Sequence, residues 1–118
     1  MEKITIWHNP RCSKSREAMS ILEKNNCESD VVKYLDAKPS ETEIKKVLEL
    51  LGFQSARELM RTKESIYKEL SLQGEENEEK LIEAMATHHK LIERPILIKN
   101  NRAIIGRPTS IIADFIRS

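Results

Sequence analysis

Apolar positions near the start of the chain follow first a strand pattern and then a helical one. Ile4, Ile6 and Trp7 make a short run with little polar interruption, which predicts a buried strand over Lys3 to Trp7. Pro10 blocks any further ladder and turns the chain. From Ser13 onward Ala18, Ile21 and Leu22 recur at helical spacing, and the pattern stops at Asn25-Asn26, a pair that tolerates the left-handed conformation of a helix end. Val31-Val32-Lys33-Tyr34-Leu35 reads as a second strand, with Asp36 to Pro39 as a loop. Strand, helix and strand within about 35 residues make a βαβ unit, so the two strands are expected to be parallel.

The middle of the chain is patterned as helix. Ser40 with Glu43 is a capping box, and Ile44, Val47, Leu48 and Leu51 continue at helical spacing up to Gly52. A second capping box, Ser55 with Glu58, opens a short helix expected to run through Leu59, Met60 and Arg61. Ile66 to Leu70 supplies another turn or two before Gly74. Asn77, with Glu78 and Glu79 behind it, starts a further helix that buries Leu81, Ile82 and Met85.

Strand patterning returns at Pro95-Ile96-Leu97-Ile98-Lys99 and Arg102-Ala103-Ile104-Ile105. Asn100-Asn101 between them suits a two-residue hairpin turn with positive φ at both positions. Pro108 fits the first turn of a last helix with Ile111, Ile112, Phe115 and Ile116 along one side. The fold class that follows is α/β: βαβ, an all-helical insertion over about residues 40–90, then ββα, in a single domain of 118 residues.

Composition narrows the function classes. A chain 39% hydrophobic and 33% charged is that of a soluble globular protein, and a net charge of +1 gives no reason to expect nucleic acid. No apolar run approaches the ~20 residues of a membrane helix. Met1 to His8 enters a strand at once without a signal-peptide core, so a cytoplasmic location is expected. No long apolar stripe asks for a partner copy, which makes a monomer the expectation.

The chemistry concentrates in His8-Asn9-Pro10-Arg11-Cys12-Ser13-Lys14-Ser15-Arg16. Cys12 falls between a strand end and the first turn of a helix, where free N–H groups and the helix dipole favour a thiolate. His8, Arg11, Lys14 and Arg16 lie within four residues of it. Charge clusters are usually solvated, so Arg11, Lys14 and Arg16 are read as surface. If Ser13 to Asn25 is helical, a rise of ~1.5 Å per residue separates Cys12 from Cys27 by roughly 20 Å. A disulfide needs Cα atoms within about 7 Å, so Cys12 has no resolving thiol in this chain. His88-His89 are adjacent on a helix and point about 100° apart, which argues against a metal site.

Four segments, taken in order, resemble the glutaredoxin-coupled arsenate reductase family (the ArsC/Spx/YffB group) from end to end. They are His8-Asn9-Pro10 with Cys12 and Ser15-Arg16; Ala56-Arg57-Glu58-Leu59-Met60-Arg61; Glu93-Arg94-Pro95-Ile96; and Gly106-Arg107-Pro108. The resemblance implies a thioredoxin-like mixed sheet interrupted by the helical insertion. It implies reduction of arsenate to arsenite, with glutathione as co-substrate, glutaredoxin as partner and no bound cofactor. By the same resemblance Cys12 is the catalytic thiol, His8 and Ser15 support the thiolate, and Arg61, Arg94 and Arg107 hold the oxyanion. Pro95 matches the cis-proline that thioredoxin-like folds keep beside the active-site sulfur. Two alternatives stand beside this reading: a Spx-like redox-sensing regulator that binds RNA polymerase, and a glutathione-dependent thiol reductase with another substrate.

A free cysteine has a pKa of about 8.5, and an exposed helix N-terminus contributes only roughly 0.3–1 kcal/mol, less than one unit. Arginines or a protonated His8 are therefore expected to supply much of any larger depression.

Overall fold

The computed structural model describes residues 3–118. In chain order the elements are β1 (Ile4–Trp7), α1 (Ser13–Lys24), β2 (Ser29–Val32), α2 (Tyr34–Ala37), α3 (Glu41–Leu51), α4 (Ser65–Glu69), α5 (Glu78–Thr87), β3 (Ile96–Lys99), β4 (Arg102–Ile105) and α6 (Ile111–Arg117). The chain divides into two compact units: residues up to Ala37 together with Arg94–Ser118, and Lys38–Glu93.

The first unit carries a four-stranded mixed sheet in the order β2-β1-β3-β4. β1 pairs parallel with β2 and antiparallel with β3, which pairs antiparallel with β4. Ile4 and Ile6 of β1, Leu97 of β3, Ala18 and Leu22 of α1, and Ile112 and Phe115 of α6 form one apolar cluster. The central strand thus buries its even-numbered side chains against the two helices. Trp7 stacks with Tyr34 at 6.3 Å between ring centroids. The ε-ammonium of the buried Lys99 donates to the carbonyls of Ile116 and Ser118, satisfying acceptors that the end of α6 leaves open.

Three expectations in this unit change. The second strand was placed at Val31–Leu35, whereas β2 runs from Ser29 to Val32 and the chain turns into α2 where a loop was expected. The register explains this: Ile4 faces Ser29 and Trp7 faces Val32, so β2 has partners only as far as β1 extends. Beyond it, the N–H groups of Asp36 and Ala37 both donate to the Lys33 carbonyl, and Tyr34 is completely buried. In the β3–β4 turn only Asn100 of the Asn pair has positive φ, at 56°. Pro108 lies ahead of α6, in a cis peptide bond with Arg107, and Ile111 is 38% exposed rather than on the buried side.

The second unit packs α3 and α5 through Ile44, Val47 and Leu48 on one and Leu81, Ile82 and Met85 on the other. The Ser40–Glu43 capping box is formed in both directions, and Gly52 ends α3 at φ 72°. Asn77 caps α5 by accepting from the Glu79 N–H. The second capping box opens a 3₁₀ turn that stops at Leu59, so the expected helix through Arg61 is corrected. Met60 instead forms a β-bridge with Ile92, with Leu59 and Arg61 bonded to Glu93 and Leu91 on either side. The insertion is therefore not purely helical. Arg57 donates to the Tyr67 hydroxyl and to the carbonyls of Leu72 and Glu75.

Candidate active site

The loop that carries Cys12 is built around buried Asn9. Its side-chain oxygen accepts from the Arg11 N–H at 3.0 Å, an Asx turn that reverses the chain after β1. Its carbonyl accepts from the Cys12 N–H at 3.0 Å, and its own N–H donates to the Ser15 hydroxyl at 3.0 Å. Cys12 becomes the N-cap of α1, so its sulfur lies where the helix leaves its N–H groups without intrahelical acceptors. Asn9 was present in the sequence motif but received no role; an Asx residue before proline at a strand end was the available signal.

The second half of the site comes from the other end of the chain. The Arg94–Pro95 bond leading into β3 is cis. Arg107, after β4, donates from Nη2 to the Cys12 sulfur at 3.4 Å and from Nε to the Arg94 carbonyl at 2.8 Å. Two neighbours hold its loop. The Gly106 N–H bonds to the Pro95 carbonyl at 2.8 Å, and the Thr109 hydroxyl donates to Glu17 of α1 at 3.1 Å. Gly106 is required by close approach: a Cβ there would lie 2.9 Å from Leu97, 3.0 Å from Pro95 and 3.1 Å from Ile112.

Cys12 is 7% exposed. Burial by itself pushes its thiol pKa up, but the opposing contacts win and the thiol titrates below its ordinary value. Those contacts are the Ser15 N–H, the Arg94 guanidinium acting by hydrogen bond and by charge, and the Lys14 N–H. The dipole-end N–H groups and an arginine thus share the task.

The surroundings of His8 disfavour an imidazolium. Burial, then the charges of Lys33 and Arg16, hold its pKa below the usual histidine value. Its Nδ1 lies 2.6 Å from the Ser15 hydroxyl, which already accepts from Asn9. A neutral ring with Nδ1 as acceptor uses the one proton that hydroxyl has to give. In that tautomer His8 orients the Ser15 hydroxyl, and the lowered pKa runs against the expected contribution of a protonated His8. Arg16, read as surface, donates to the Pro10 carbonyl at 2.9 Å and so braces the same loop.

Cys12, His8, Ser15, Arg94, Pro95 and Arg107 all belong to the first unit, while Arg61 belongs to the second. There its guanidinium pairs with Glu64 at 3.1 Å and Glu93 at 3.7 Å. Cys27 is a free thiol beyond the far end of α1. His89, once weighed as a metal ligand, donates to the Pro39 carbonyl at 3.0 Å.

A mixed sheet with a thiol at the N-cap of the first helix, a cis-proline before β3 and guanidinium groups on the sulfur defines a thioredoxin-like thiol protein. Residues 7–115 match the ArsC family, and the chain belongs to it. It is 48% identical over 109 residues to an arsenate reductase of Neisseria meningitidis, covering 92% of this chain and 93% of that protein. It is 46% identical over 116 residues to the uncharacterized protein YfgD of Escherichia coli, covering 98% of both. Among solved structures, an arsenate reductase from Vibrio cholerae superposes with a TM-score of 0.93 at 43% identity, covering 96% of this chain and 97% of that one.

Proposed function

We propose that this protein is an arsenate reductase that uses Cys12 as nucleophile and takes its electrons from glutathione and glutaredoxin. The observation that carries the reading is the cradle on the sulfur: N–H groups of Ser15 and Lys14, and the guanidiniums of Arg94 and Arg107. Arsenate is anionic at neutral pH and repels a thiolate. Planar N–H forks offset that repulsion while leaving the sulfur a nucleophile. Arg94 and Arg107 bind the oxygens, and Arg61 matches the third arginine of the family motif. The Cys12 thiolate attacks arsenic, one oxygen leaves as water after protonation, and a sulfur–arsenic(V) bond results.

The electrons then come from outside the chain. Ser15 occupies the place of a second active-site thiol, and its hydroxyl is committed to His8 and Asn9. Cys27 lies beyond a helix of 12 residues, ~18 Å long. Glutathione attacks the adduct, glutaredoxin attacks the resulting mixed species, and arsenite leaves. In sum two thiols become one disulfide as arsenic(V) becomes arsenic(III), with one water released. The family match and the relatives named arsenate reductase support this chemistry over a polymerase-binding regulator.

The test is arsenate-dependent NADPH oxidation coupled through glutathione reductase, glutathione and glutaredoxin. Wild type turns over and Cys12→Ser does not; turnover that survives Cys12→Ser would falsify the mechanism.

A further inference from the structure

Arg11, Lys33 and Asp36 take no part in the reaction as described, yet they share a cavity of about 280 Å³ in the first unit with His8 and Asn9. Its walls are the loop after β1 and the segment after β2 that runs from Lys33 into α2, joined where the His8 N–H donates to the Val32 carbonyl at 2.8 Å. Pro10 and the 36% exposed Leu35 give it an apolar side. Its charged groups are two cations and one carboxylate, and among the described residues none of the three forms an ion pair. Their backbones are nonetheless fixed, Arg11 through Asn9 and Asp36 through the Lys33 carbonyl.

A simple oxyanion gains nothing from the carboxylate in such a pocket. A ligand bearing both an ammonium and carboxylates gains from both signs. Cys12 does not line the cavity, but two residues that do, Pro10 and Arg11, directly precede it. Pro10 and Arg11 are two and one residues from Cys12, so their Cα atoms lie within about 7.6 Å and 3.8 Å of its own. A peptide of two or three residues, at up to ~3.5 Å each, spans that distance.

We propose that this cavity seats the thiol that takes over from Cys12: a short peptide thiol with its carboxylate on Lys33 and Arg11, its α-ammonium on Asp36 and its sulfur at Cys12. Glutathione has this chemistry. The proposal deepens the functional reading and rests on it for the thiol's part in turnover, but the pocket itself is testable without arsenate.

The experiment measures, by intact mass, how fast Cys12 forms a mixed disulfide with glutathione disulfide and with uncharged bis(2-hydroxyethyl) disulfide. In each case the Cys12 thiolate attacks one sulfur, the S–S bond breaks, and the second sulfur leaves as a thiolate. Lys33→Glu is expected to slow reaction with glutathione disulfide about tenfold and to leave the hydroxyethyl reagent within about twofold. Asp36→Asn separates a seat from a general field. Losing a negative charge would speed an anionic reagent through the field alone, whereas loss of the ammonium's partner slows it about two- to fivefold. Faster or unchanged reaction in Asp36→Asn, or equal slowing of both reagents in Lys33→Glu, overturns the proposal. A wild type that shows this pattern but reduces no arsenate loses the functional reading and keeps the pocket. One that reduces arsenate without the pattern loses the pocket alone.

Discussion

At Cys12 two opposing effects act on one proton. Burial favours the neutral thiol, and the N–H groups and guanidinium around the sulfur favour the thiolate, with the second set prevailing. The pH profile of iodoacetamide alkylation is therefore expected to have its midpoint below that of a free cysteine, and Arg94→Ala to move it back up. A thiol whose folded pKa is depressed contributes stability that is full above the unfolded value and lost as pH falls through the folded one. The urea midpoint of wild type relative to Cys12→Ser should rise over that window. His8 obeys the same sign through a different cause, since its burial and cationic neighbours resist protonation. Its contribution is full above about 6.5, the ordinary histidine value, and is lost as pH falls toward the lower folded one. Histidine titration followed by NMR should give His8 a pKa below those of short unstructured peptides; a value above 6.5 would restore the imidazolium route.

At the scale of elements, the segments that carry the arginines are positioned by contacts that do not touch the reacting atoms. Gly106 lets its loop pass between Leu97, Pro95 and Ile112, and Arg107 follows directly. Gly106→Ala forces those side chains apart at a cost of about 1–3 kcal/mol. It should lower the denaturation midpoint and weaken arsenate use together, whereas Arg107→Ala should weaken arsenate use with little change in stability. In the second unit Arg57 satisfies two carbonyls and a tyrosine hydroxyl. Arg57→Ala leaves these acceptors without their donor, and a loss of about 1.5–3 kcal/mol is expected in urea unfolding. The resemblance to known sequences marks Gly106 and Arg57 within familiar motifs, but what each does depends on neighbours 10 to 18 residues away or on another strand.

For the molecule as a whole, the first unit is discontinuous in sequence. β1 and β2 come before the second unit, and β3, β4 and α6 come after it. β1 is the strand that joins both halves, with β2 on one edge and β3 on the other. A chain ending at Glu93 would keep the Cys12 loop but lose β3, Arg94 and Arg107. Such a truncation should show ordinary cysteine alkylation and no near-ultraviolet signature from Trp7. A depressed thiol midpoint in it would mean that the helix end suffices without the distant arginines.

Periodicity and local chemistry within the chain determined the ends of α1, α3 and the start of α5. The Ser40–Glu43 box, Gly52, Asn77 and the Asn25-Asn26 stop all act over four residues or fewer, so they are legible without a fold. The same locality made Cys12 legible as a thiol at a helix N-terminus, because its strand–turn–helix context is contiguous. Tertiary structure decided what depends on partners. The length of β2 is set by β1, and Tyr34 leaves the strand pattern to stack on Trp7. Met60 leaves the helix pattern to pair with Ile92. Tertiary structure also lowered the His8 pKa, first by burying the ring and then by the charge of Lys33 at the next strand end. It also brought the Arg107 guanidinium within 3.4 Å of the Cys12 sulfur, from 95 positions further along the chain. Electrostatic and packing energies depend on distance through space, and only the folded chain supplies those distances.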